Sequence, residues 1–307
     1  MVRDGQPRRV SGASRERPRV LPSGHTMLLA LPISRCSRSS AGDCRAVVGQ
    51  FQPAGSETDK EHPLANAGAL LNSVGERASN GPIPAAPGWS ALELSRDHNA
   101  REPVEQAKLA AAHPGEPNVV RENHPGVWYV RGRLQPTRAL GDMYLKHTEM
   151  NGQPGTRAWG KYLSPRHTPP YITPEPEVRV HELNPSTDAF VILACDGVWD
   201  VMSSDEAVAV VSQHQGTRDS AANTLVEAAL AKAAAQANMS PQQLAQIAPG
   251  RPRRGIVDDL TVVVLWLDTP AAHQAAVATS RLSAPTGDGR NWGWFSRSKQ
   301  APESARE

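Results

Sequence analysis

The sequence is poor in cysteine, in aromatic residues and in excess charge of either sign. Three cysteines, Cys36, Cys44 and Cys195, are too few for a disulfide framework. No apolar run reaches the roughly 18 residues that a membrane-spanning helix needs, so no transmembrane segment is expected. Lys and Arg number 33 against 31 Asp and Glu, a net charge of +2. That balance argues neither for nor against nucleic acid, and no nucleic-acid partner is expected. Only 39% of the chain is hydrophobic, whereas 27 Pro and 24 Gly are many. This mixture predicts an ordered core carrying disordered inserts. A chain of 307 residues could hold one large domain or two small ones.

Against that background one stretch stands out, AFVILACDGVWDVM at 189–202. The apolar run Phe190 to Cys195 stops on Asp196-Gly197, which reads as a buried strand ending in a turn. Gly197 lets the backbone turn and leaves room beside the carboxylate. Asp142, in TRALGD, and Asp258 with Asp259, before the strand Thr261 to Leu267, occupy similar settings. Oxygen donors of this kind suit Mg2+ or Mn2+. A lone Asp-Gly after a strand is usually only a turn, and spacing does not show that the three sites meet. Cys195 lies in the predicted buried strand and reads as packing rather than as a nucleophile.

Three ordered segments settle the interpretation: LQPTRALGDMYLKH (134–147), ACDGVWDVMS (194–203) and DDLTVVVLWLD (258–268). They resemble motifs of the PPM/PP2C family of metal-dependent protein serine/threonine phosphatases. AGDCRAVVG (41–49), LSRDHNAREPVEQ (94–106) and PPYITPEPEV (169–178) fall in register with further family segments. HPGVWYVRGRLQPTRALGDMYLK is most similar to the plant-type branch, which also resembles pyruvate dehydrogenase phosphatases. The resemblance runs from about Ser23 to Asp268. It implies an α+β fold, the αββα sandwich of two antiparallel sheets flanked by helices. It also implies two or more Mg2+ or Mn2+ ions, with Asp196 and Asp258 as core metal ligands and Asp142, together with Asp196, as ligand of a weaker additional site. Asp259 stands where the family usually has Asn. Two metal ions can generate a bound hydroxide near neutral pH and neutralise charge on the phosphoryl group, so no Cys or Ser nucleophile is required. The implied partner is a phosphoprotein substrate, and the implied location is intracellular: cytosol, nucleus or mitochondrion.

One family motif is missing. No DGHGG occurs, and the early Asp4-Gly5 lies in a polar, basic context without the following His-Gly. SGHTMLLALP (23–32) aligns with a strand that follows DGHGG in the family. The resemblance therefore implies an N-terminally incomplete domain that lacks one Asp ligand, a Gly carbonyl ligand, a His and the phosphate-binding Arg. Weak or absent catalysis by the chain is expected. The alternative is a catalytically inactive pseudophosphatase that binds phosphoproteins or other partners.

Along the chain, the expected organisation is a basic disordered leader at 1–22, the partial phosphatase domain at 23–268 and a disordered tail at 269–307. Residues 50–90 read as a surface insertion, with a weak amphipathic piece at Leu64 to Val74. Strands are expected at His25 to Pro32 and Cys44 to Gly49, joined by a loop, and at Val127 to Val130 and Arg133 to Thr137. Asn99 with Glu102, and Ser203 with Glu206, have capping-box spacing and predict helices at about 100–113 and 204–213. Arg218 to Ala237 predicts a helix with an apolar stripe, and Ser240-Pro241 opens a short one. Asp43 is expected to fix a turn, His98 and Arg138 to be structural, Trp199 to pack and Asp200 to tie the next loop.

Overall fold

The computed structural model describes residues 26–30, 35–52, 82–151, 163, 167–214 and 217–282. The leader at 1–22 and the piece at Leu64 to Val74 lie outside them. The described chain is a mixed α+β fold built on two antiparallel sheets, as the resemblance implied. A four-stranded sheet runs in the order β4 (Trp89–Glu93), β3 (Arg45–Phe51), β8 (Asp188–Ala194), β9 (Val262–Trp266). A three-stranded sheet runs β1 (Thr26–Ala30), β2 (Arg35–Ala41), β7 (Glu177–Glu182). The hairpin of β5 (Val120–His124) and β6 (Val127–Val130) stands apart.

β8 sits centrally because nearly every side chain on it is apolar and both of its faces are covered. On one face Phe190 packs at 5.2 Å from both Trp89 and Trp266, beneath α3 (Ser204–Ser212) and α4 (Ala221–Gln236). Gly49 makes room for that ring, since a methyl group there would fall 2.3 Å from Phe190 Cζ. Alternation sends Val191 to the opposite face, into a smaller cluster with Ala46, Val48, Leu94 and Leu267.

Both serine-led capping boxes form. Ser203 Oγ accepts the Glu206 N–H at 3.2 Å, and Ser240 Oγ accepts the Gln243 N–H at 3.2 Å to open α5 (Pro241–Gln246). On α4, Leu225, Ala229 and Ala233 of the expected stripe are buried. The Asn99 box does not form. The helix, α1 (Pro103–Ala112), starts later, with Glu102 at its cap and no side-chain capping bond. Asn99 is occupied otherwise: its Oδ1 accepts the Arg101 N–H and its Nδ2 donates to Asp43.

Other expectations need correction. The segment read as a loop between two strands is β2 itself, paired with β1 and β7, while β3 belongs to the other sheet. Its polar sequence, RCSRSSA, hid the strand. Arg133 to Thr137 is no strand; only the isolated bridges Val130 to Leu134 and Asn99 to Pro136 mark it. β4 begins at the edge of the expected insertion. The expected tail is ordered over α7 (Pro270–Leu282), which packs on β8 and β3. Thr269 caps this helix, accepting the Ala272 N–H at 3.2 Å and donating to the Asp188 carbonyl at 2.6 Å. Its buried residues are Ala271, Ala272 and Ala275, small side chains that leave no bulky apolar period to read.

Candidate metal centre

Asp196 opens a short helix, α2 (Asp196–Trp199), directly after β8 and Cys195. Its Oδ1 accepts the Gly197 N–H at 3.0 Å. Gly197 is required here: a Cβ would lie 2.5 Å from the Asp259 carbonyl oxygen. The same close approach is stitched by Cys195. Its N–H donates to the Thr261 carbonyl at 3.2 Å, its thiol donates to the Asp259 carbonyl at 3.1 Å, and its sulfur accepts the Thr261 N–H at 3.2 Å. Asp196 and the Asp258-Asp259 pair therefore share one end of the four-stranded sheet.

Asp258 is already engaged. Its Oδ1 accepts Arg254 Nε at 2.9 Å and the Asp259 N–H at 2.8 Å. Arg254 belongs to α6 (Arg251–Arg254), and the bond and charge of Asp258, then the fields of Asp259 and Asp196, raise its affinity for its proton.

The same sheet end holds carboxylates that reading the motifs one at a time left in minor roles. Asp97, 7% exposed, accepts from Arg45 Nε at 3.1 Å and Nη2 at 2.7 Å, and from Arg101 Nη2 at 2.8 Å. Arg45 lies over the Trp199 ring at 5.1 Å and also reaches Glu93 and Ser204. Asp43, 4% exposed, accepts Asn99 Nδ2 at 2.8 Å. One partner of Asp43 is thus a side chain 56 residues away. Asp200 lies 3.6 Å from Arg101 Nη1. Packing pushes its carboxyl upward, Arg101 opposes this, and Asp43, Asp97 and Asp258 add to it. Cys44 sits within this field: burial, then Asp43, Cys195 and Asp196, push its thiol up to about 12. Asp97 stood in view in LSRDHN, but its partner Arg45 lies 52 residues away, so spacing carried no signal of the pairing.

Asp142 is placed differently. It has left-handed backbone angles, φ 43 and ψ 44, after Gly141 at φ 82. Its turn lies between Ala139 and Tyr144, two members of a second hydrophobic cluster that also holds Leu145, Tyr171 and Val130. Its charge acts on its own neighbours. Burial, then Asp142, pushes Tyr144 up to about 12, while burial lowers Lys146 and Asp142 opposes that shift. Arg138 is structural, its Nη1 donating to the Glu175 carbonyl at 3.0 Å. His98 is buried, 3.3 Å from Glu177 Oε2. Trp199 Nε1 donates to the Ala194 carbonyl at 2.8 Å within the core.

The donor chemistry at the sheet end suits a hard cation, but the gathering that one needs is not made. Among the described residues no three Asp, Glu, His or Cys side chains stand together so as to hold a metal ion. Asp142 is thus not brought to Asp196 and Asp258.

Comparison with known proteins points the same way as the motifs. The Protein phosphatase 2C family model matches residues 86–238. A probable protein phosphatase 2C 67 of Arabidopsis thaliana is 37% identical over 209 residues, 66% of this chain and 54% of that protein. A probable protein phosphatase 2C 28 of Oryza sativa subsp. japonica is 38% identical over 238 residues, 77% of this chain and 50% of that protein. The chain thus spans about half the length of these curated relatives. A crystal structure of serine-threonine phosphatase 2C from Toxoplasma gondii is similar at TM-score 0.46 and 20% identity, over 80% of this chain and 58% of that one. Both curated relatives are plant proteins, in keeping with the plant-type likeness of residues 125–147. The chain belongs to the protein phosphatase 2C family.

Proposed function

We propose that the chain has the function of its family, hydrolysis of phosphoserine and phosphothreonine in proteins, and that by itself it performs this weakly. One observation carries the reading: Asp196 and Asp258 come to one sheet end, held there by the close approach over Gly197. We assign Mg2+ or Mn2+ to this pair, and a separate, weaker site to Asp142. Weak turnover follows from charge. A divalent cation needs several oxygen donors, and here Arg254 competes for Asp258 while Arg45 and Arg101 neutralise Asp97.

The second reading is a non-catalytic module that binds phosphoproteins. It is favoured by the same arginines, which satisfy the carboxylates without any metal. Mn2+-dependent release of phosphate from a phosphothreonine peptide, with Asp196→Asn as control, separates the two. Metal-dependent turnover that Asp196→Asn abolishes supports the phosphatase. Folded chain that releases no phosphate, and shows no Mn2+ binding by calorimetry, supports the binding module.

A further inference from the structure

Two of the three cysteines occupy opposed positions at the end of one strand pair, beside the candidate centre. The β3–β8 ladder ends with Arg45 opposite Ala194. The next residue outward on each chain is a cysteine, so the antiparallel register carries Cys44 opposite Cys195. Directly opposed residues in such a pair have Cα atoms about 4.5–5.5 Å apart, inside the range of about 4.4–6.8 Å that a disulfide spans. The faces agree as well. Arg45 lies over Trp199 and Ala194 joins the cluster around Phe190, so alternation sends both cysteines to the other face. The remaining cysteine, Cys36, lies on β2, opposite His181 of the other sheet.

We propose that Cys44 and Cys195 form a reversible intramolecular disulfide, a modification site that answers to peroxide or to a small disulfide. With peroxide, the sulfur of one cysteine attacks a peroxide oxygen. An S–O bond forms, the O–O bond breaks, and the departing hydroxide takes the thiol proton as water, leaving a sulfenic acid. The second sulfur then attacks the first. The S–S bond forms, the S–O bond breaks, and a second water carries away the remaining thiol proton. Each sulfur gives up one electron, and the two together reduce the peroxide to water.

The bridge has a structural consequence. Cys195 now binds the Asp259 carbonyl and the Thr261 N–H through its thiol. Turning that sulfur toward Cys44 removes the S–H donor and withdraws the acceptor. Oxidation therefore loosens the segment carrying Asp258 and Asp259 from the end of β8. The disulfide itself stands apart from the phosphatase reading; only its effect on metal binding rests on it.

The test uses the full chain, reduced and then exposed in the folded state to hydrogen peroxide or oxidised glutathione, alkylated and mapped by mass spectrometry without reduction. The expected result is one cross-linked peptide joining positions 44 and 195, lighter by two hydrogen atoms and lost on reduction. It persists in Cys36→Ser and is lost in Cys44→Ser and Cys195→Ser. Hydrogen exchange of the oxidised chain shows loss of protection at the Thr261 amide. Recovery of Cys44 and Cys195 only as separately alkylated or glutathionylated residues, or a bridge to Cys36 instead, overturns the proposal. The mapping of the unaltered chain decides the matter even if a serine variant does not fold.

Discussion

At the outer end of β8, the sheet itself delivers carboxylates to a common place; at Asp142, a single turn positions the carboxylate. Asp196 follows a strand with nearly every residue buried, and the Asp258-Asp259 segment is clamped beside it by Cys195 and by the absence of a side chain at Gly197. Neighbouring acids are balanced by Arg45, Arg101 and Arg254. Asp142 instead depends on left-handed backbone at two successive residues, and its charge is spent on Lys146 and Tyr144. Long-range packing makes the first arrangement; local conformation makes the second. A fault in packing should therefore do more harm than a fault in the turn.

The largest effect is expected from Gly197→Ala. The new methyl would press on the Asp259 carbonyl, and overpacking against backbone costs about 3 kcal/mol. Gly141→Ala at the Asp142 turn, where φ is 82, incurs the left-handed penalty, about 1 kcal/mol. Urea denaturation of both variants checks the ranking, and equal losses would break the comparison.

Next comes Arg45→Ala. Asp97 is buried and keeps Arg101, so the loss is about 2 kcal/mol rather than the full cost of stranding a buried charge. The same denaturation experiment reads it, and Arg45→Lys recovers part of the loss.

The smallest effect is a pH dependence. Burial, then Arg138, lowers the affinity of His98 for a proton, and burial lowers that of His214. Below their ordinary value of 6.5 the unfolded chain takes up protons that the folded chain refuses, so stability falls as pH drops. Glu105, Glu177 and Glu206 have depressed pKa values: burial opposes the shift, and their bonds to Lys108, Arg179 and Lys232 outweigh it. Their contribution is present above 4.5 and is lost as pH falls through the folded values. Denaturation midpoints measured from pH 8 downward should decline in two stages, and His98→Gln should flatten the first.

Much of this was legible in advance wherever the relevant physics is local. AFVILACDG announced a buried strand and its turn, and the Ser203 and Ser240 boxes announced two helix starts, because each is a pattern of near neighbours. The reading failed where partners lie far off in sequence. Asn99 looked like a cap, but its amide is claimed by Asp43, 56 residues away. β2 looked like a loop because its polar residues are held by ladder bonds to β1 and β7. The helix after Thr269 escaped because alanines suffice to fill a narrow gap.

By itself, the sequence determined the family, through the resemblance of its ordered motifs, and the central strand, through short-range order. Only the tertiary structure decided which acids share a sheet end. Asp196 and Asp258 are joined through strand pairing across about 60 residues, a distance over which residue spacing carries no geometric information. Asp142 is kept apart because its turn belongs to a different hydrophobic cluster.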